Sequence, residues 1–173
     1  MNKGNIDFSS FIYISDEFNF GEKDFIRKSI DYGYKVFLNN DFKKEFNETD
    51  FKQSKGMSGM ALYAHFYYKQ PHIFIIKPFS RPNSNIRAYT KNGEIFLNKF
   101  HFDKWFSKQA FEECASTSFH EQMHVLEFHH SKWKPWEKLK TVPYLIGKLI
   151  KKFILKELKN DKRKNGKDNH SEA

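Results

Sequence analysis

His120, Glu121 and His124 stand in the order H-E-x-x-H within Ser118-Phe119-His120-Glu121-Gln122-Met123-His124. Residues on an α-helix advance by about 100° each, so His120 and His124 share one face a turn apart and both imidazoles can reach one zinc ion. Glu121 is offset by one residue and points past the metal toward water. There it could act as general base, while zinc lowers the pKa of that water to about 7 and polarises a substrate carbonyl. A third histidine, His130, extends the pattern to H-E-x-x-H-x-x-x-x-x-H. Shuffling this composition yields the five-residue motif roughly 0.025 times per chain and the form with the third histidine roughly 0.001 times, so composition alone does not account for it.

Residues 120–130 resemble the active-site signature of the metzincin clan of zinc metallopeptidases, H-E-x-x-H-x-x-G-x-x-H. The resemblance implies zinc held by His120, His124 and His130, with Glu121 as the catalytic acid/base. Where the clan has glycine, this chain has Glu127. Glycine there allows a sharp turn with positive φ, which glutamate adopts less readily. A helix running on through this point would set Glu127 about 20° from His120 in projection and swing His130 about 80° away. His130 is the favoured third ligand, with His129 and Glu127 as the alternatives.

No methionine follows Met123, so the methionine turn of the clan is absent; Thr141-Val142-Pro143-Tyr144-Leu145-Ile146-Gly147 stands at a similar distance instead. Together with Ala88-Tyr89-Thr90 and Ile95-Phe96-Leu97-Asn98 upstream, this segment resembles bacterial and phage zincin-like proteins that carry Val-Pro-Tyr-x-Ile-Gly after the third histidine. The resemblance covers about residues 85–150. Tyr144 is a candidate catalytic residue, as hydroxyl donor to a tetrahedral oxyanion, or an extra metal ligand; packing of the last helix is the plainer role. In zincins the strand before the active helix borders the cleft, which implies that Tyr89, Ile95 and Phe96 lie near substrate, although core packing explains them equally.

The elements that must position these residues can be read from periodicity. Residues 10–15 are β-branched and aromatic and predict a short strand. Phe25, Ile26, Ile30, Tyr34, Phe37 and Leu38 repeat at helical spacing over 22–38, and Asp41 could cap a second short helix with Phe42 and Phe46 inward. Residues 47–57 read as a polar loop, and Ser58 as the cap of a helix from Gly59 to Tyr68. His72-Ile73-Phe74-Ile75-Ile76 reads as a buried strand that Pro78 and Pro82 end. Asn92-Gly93 between alternating runs predicts a hairpin over 85–98. A long helix is expected from about Ser107 through at least Phe128, then a loop bracketed by Pro135 and Pro143, then a helix over 143–159. The fold class expected is α+β, zincin-like, with helices on a small mixed sheet and the H-E-x-x-H motif on a helix. One domain over 1–159 and a frayed polar tail over 160–173 complete the reading.

With 173 residues and 18% aromatics, including 20 Phe, the chain can bury a substantial core, which excludes wholesale disorder. The single cysteine, Cys114, excludes an internal disulfide and a four-cysteine zinc ribbon, and reads as a buried structural thiol. The first residues lack the apolar core of a signal peptide, and no uncharged run is long enough to span a membrane, so a cytoplasmic location is expected. The net charge of +9 favours anionic partners in general. A lysine-rich amphipathic last helix and the run Lys132-Trp133-Lys134-Pro135-Trp136 could meet a nucleic acid or membrane, but docking on the domain and walling the cleft explain them as well. The reading is a Zn2+-dependent metallopeptidase acting on a peptide or protein substrate. The alternative is a catalytically inactive zincin-like protein whose basic surface binds nucleic acid, the less favoured partner, or an acidic protein.

Overall fold

Four strands form one mixed sheet in the order β1-β2-β4-β3. The computed structural model describes residues 11–68, 73–130 and 135–168, with only the backbone path given for 68, 135, 136 and 161–168. Strand β1 (Ile12–Ile14) pairs in parallel with β2 (Phe74–Phe79), and β2 pairs in parallel with β4 (Glu94–Asn98). Strand β3 (Ala88–Lys91) joins β4 as the expected hairpin, Tyr89 opposite Phe96 and Thr90 opposite Ile95, with Asn92 and Gly93 both at positive φ in the turn. The parallel step from β1 to β2 needs a long crossover, which α1 (Phe20–Phe37), α2 (Asn40–Glu48) and α3 (Gly59–Tyr68) supply. After the sheet come α4 (Lys99–Ser107), α5 (Phe111–Val125), a 3-10 segment (Pro135–Lys140) and α6 (Val142–Asp168).

Caps set several of these boundaries. Asn19 and Glu22 make a reciprocal capping box at the start of α1. Asn39, rather than the expected Asp41, caps α2, and the Ser58 hydroxyl accepts from Ala61 N–H at the start of α3 as predicted. Other boundaries differ from the expected ones, and one helix is additional. Pro78 lies inside β2 rather than after it, paired with Leu97. Residues 99–107, whose alternating aromatics hide a helix, form α4, because buried Asn98 accepts from Phe100 N–H and opens a helical turn. The long helix therefore starts only at Phe111, after Gln109 breaks the chain at φ 51°, and it ends at Val125, not at Phe128. At the far end, α6 carries the helical backbone of 160–168 beyond the expected limit at 159, while 169–173 lie outside the described residues. His72 and Lys132–Lys134 also lie outside them.

The core is mainly aromatic, and α5 runs through it, packed on α1 and α6. Phe119 is fully buried, its ring 5.4 Å from Tyr34, 5.9 Å from Phe37 and 5.2 Å from Phe74. That anchor fixes the rotation of α5 and so the direction of its neighbours His120 and Glu121. Cys114 is buried on the same helix, which pushes its thiol up to about 12 and fits the structural role expected of it. The apolar face of α6, Leu149, Ile150, Phe153 and Ile154, is docked in the core, while its lysines stay exposed, Lys152 pairing with Glu45 at 2.6 Å and Lys156 with Asp41 at 2.7 Å, both on α2. No helix among the described residues is long and apolar enough to cross a membrane.

Gly33 on α1 is the tightest point in this packing, since a Cβ there would stand 2.2 Å from the Phe119 ring. Gly33→Ala is expected to cost about 1–3 kcal/mol by overpacking. Thermal unfolding followed by circular dichroism should show Tm falling by roughly 2–4 °C for each kcal/mol lost; an unchanged Tm would mean that Phe119 does not fix α5.

Candidate metal centre

His120 and His124 project from one face of α5, one turn apart, and the chain must then reverse to bring a third histidine back. It does so through a helix-ending turn of the Schellman type. Glu127 N–H donates to the His124 carbonyl at 3.0 Å and Phe128 N–H to the Met123 carbonyl at 2.9 Å, with Glu127 at φ 64°. Glutamate thus occupies the left-handed position that glycine usually fills. Phe128 is buried against Phe66, ring centroids 5.6 Å apart, and Met123 is buried as well, giving the apolar contact that accompanies this motif. The Glu127 side chain faces solvent and meets Lys55 at 3.5 Å, away from the histidines. His129 is exposed and stacks on His124 at 5.9 Å.

Of the candidate third ligands, His130 is the one brought to the pair. One potential ligand atom from each of His120, His124 and His130 lies within 4.8 Å of the others. Each ring is also held from behind. His124 Nδ1 donates to the Phe128 carbonyl at 2.8 Å. Thr141 spends its hydroxyl proton on the Lys138 carbonyl at 2.7 Å, so its oxygen accepts from His130 Nδ1 at 2.8 Å. His120 is hydrogen-bonded to the Pro143 carbonyl. These bonds fix the tautomers and leave Nε2 of His124 and of His130 with its lone pair free, the arrangement in which an oxygen acceptor orients an imidazole toward a metal.

Burial, then the neighbouring imidazoles and the Lys138 ammonium, pushes His120 down to about 3 and His130 down to about 4. His124 is lowered too, chiefly by burial. All three are neutral at pH 7, the state a metal ligand requires. Glu121 is buried beside them, and burial pushes its carboxyl up to about 7 against the opposing effect of a hydrogen bond from Thr90. Thr90 Oγ1 lies 2.9 Å from Glu121 Oε2 and 3.1 Å from the Glu121 carbonyl oxygen. The Tyr144 ring lies 4.7 Å from both the His120 and His130 rings.

The histidines open into a cleft of 1050 Å³ between the edge strand β3, α5 and the first turns of α6. The loop that forms its rim is stapled by buried Asn98, whose Nδ2 donates to the Arg81 and Ile86 carbonyls at 2.9 and 2.8 Å. Of the three residues expected to border substrate, Tyr89 lines the cleft, Ile95 is buried in the core, and Phe96 stacks on Tyr89 at 4.9 Å. The sequence reading gave no role to Thr90, Thr141 or the Phe128 and Pro143 carbonyls. A threonine one residue before Val-Pro-Tyr was visible, but nothing in its type says that it faces a histidine.

Three neutral imidazoles with oriented rings, open on one side to a cleft, fit a metal ion that keeps a free coordination position. Because the turn after α5 already has glycine-like geometry, Glu127→Gly is expected to keep the site intact and to raise stability by about 0.5–1 kcal/mol, the strain of a left-handed non-glycine residue being removed. Differential scanning calorimetry and a metal titration check both halves; loss of metal binding in this variant would show that Glu127 holds the site by some other means. No protein-family profile matches the chain, and no curated protein or solved structure is significantly similar to it, so the centre is defined by its own geometry.

Proposed function

We propose that the protein is a zinc-dependent peptidase, with His120, His124 and His130 as ligands and Glu121 as the general base. The observation that carries this reading is the convergence of three back-bonded neutral imidazoles next to a buried carboxylate on an open cleft. Zinc suits three nitrogen donors and, when bound, supplies Lewis acidity toward water and a carbonyl oxygen.

The remaining work falls to this chain's own groups. Glu121 takes a proton from the attacking water and returns it to the leaving amine, for which a carboxyl pushed up to about 7 is well matched near neutral pH. Thr90 holds the carboxylate in place through Oε2 and leaves Oε1 for that exchange. Tyr144, whose ring packs against His120 and His130, would donate its hydroxyl to the developing oxyanion. Strand β3 pairs with β4 on one side only, and its residues Ala88, Tyr89 and Thr90 line the cleft. An extended substrate can add to that free edge, its backbone amides matching those of the strand. Thr90 then belongs to both functions, since its backbone lies in the docking strand and its hydroxyl orients the base.

Two measurements test the proposal. Protein purified without a histidine tag should carry about one zinc per chain by elemental analysis. Folded His120→Ala and His130→Ala should lose it, and Thr141→Val should bind it roughly 10–100-fold more weakly. No bound metal after zinc addition would leave the binding-protein reading in its place. In the second, Glu121→Gln should retain zinc while hydrolysis of a casein or peptide-pool substrate falls about 10²–10⁴-fold; undiminished hydrolysis would remove Glu121 from the mechanism.

A further inference from the structure

The cleft has an uneven charge. Its lining contains four cations, Arg87, Lys138, Lys148 and Lys151, and one carboxylate, Glu121. Two of the cations are already engaged: Arg87 and Lys151 share Glu113, at 3.1 and 2.5 Å. Lys138 and Lys148 have no carboxylate partner among the described residues. Lys138 stands at the metal end, its Nζ 5.5 Å from the centre of the Tyr144 ring and close enough to depress His120 and His130. Lys148 is exposed on α6, one turn beyond Tyr144 on the same cleft-lining stripe, and Gly147 beside it keeps that wall close to α5. One turn is about 6 Å along the axis, roughly two residues of an extended chain.

We infer that this wall selects a carboxylate: the substrate is a peptide bearing Asp or Glu, or ending in its C-terminal carboxylate, about two residues from the cleaved bond. That the occupant is a peptide rests on the peptidase reading; that it is anionic rests on the charges. These two exposed ammonium groups would repel a basic peptide, whereas an acidic side chain can accept a charge-assisted hydrogen bond from the nearer of them. A nucleic acid would use the same charges, and it is the competing occupant that the experiment must displace.

The test separates the two readings. Zinc-loaded Glu121→Gln protein is titrated with rhodamine-labelled peptides identical except for Glu against Gln, each with a free or amidated C-terminus, by fluorescence anisotropy at low and high salt. Wild-type protein is given the same peptides and cleavage is mapped by mass spectrometry. The Glu peptide is expected to bind about fivefold tighter than the Gln peptide at low salt, with the difference erased by Lys148→Glu. Because Lys148 is exposed and unpaired, that variant should fold normally, and Lys148→Gln should give an intermediate ratio. A preference that follows the free C-terminus instead assigns the wall to that carboxylate and supports the proposal. Cleavage with equal binding of Glu and Gln peptides overturns the proposal and leaves the peptidase standing. Preference for Glu with no cleavage of any peptide keeps the anionic recognition and removes the peptidase. Binding of neither peptide, or displacement of the Glu peptide by a tighter-binding single-stranded oligonucleotide, overturns the proposal.

Discussion

Phe128 is buried between Phe66 and His65, with the Lys55 ammonium over its ring at 5.0 Å, and its burial decides where the chain goes after α5. To seat that ring, Glu127 must take a left-handed conformation, which costs roughly 1–2 kcal/mol for a residue with a Cβ. Burying a phenylalanine side chain returns about 1.5–3 kcal/mol, and two helix-ending hydrogen bonds add to it. The balance favours the turn even without glycine. The place of the third histidine follows from it: the Phe128 carbonyl comes to rest behind His124, and His130 is brought beside His120 with its Nδ1 on the Thr141 hydroxyl.

The same placement explains why three imidazoles can sit so close. Charged, they would repel one another and the nearby Lys138; burial and that repulsion together hold His120 and His130 well below the usual imidazole range. Each therefore presents a lone pair, and the cost of burying its polar ring is met by one oxygen acceptor apiece. Glu121 shows the opposite response to the same environment, because burial penalises a carboxylate by raising its pKa. One environment thus moves the histidines and the carboxyl in opposite directions, which leaves all of them closer to neutral.

Much of this could be read from residue order, and the misses share a cause. The H-E-x-x-H face needed only helical periodicity, and α1, α3 and the 85–98 hairpin followed from caps and turn residues acting over a few positions. What failed depended on partners far along the chain. Periodicity predicts no element over 99–106, yet Asn98, tied to Arg81 and Ile86, starts a helix there. Glu127 looked unsuited to a turn because the ring that drives it, Phe128, finds its pocket on α3, some sixty positions earlier in sequence. Thr90 and Thr141 were silent for the same reason: a threonine carries no mark of the carboxylate or imidazole it meets.

Gly147 explains why α6 starts with Val-Pro-Tyr-Leu-Ile-Gly. A glycine inside a helix costs about 1 kcal/mol relative to alanine. Here a Cβ would stand 2.9 Å from the Ser116 carbonyl oxygen and 3.5 Å from His120 Cβ, so the helices meet backbone to backbone at the level of His120. That approach brings the Pro143 carbonyl to His120 and lays the Tyr144 ring across His120 and His130. Val142 and Ile146, both fully buried, hold the helix there, and proline is tolerated because it lies in the first turn, where its missing N–H has no helical partner to lose. The wall beside the three histidines is thus a helix that a single glycine allows to come close enough.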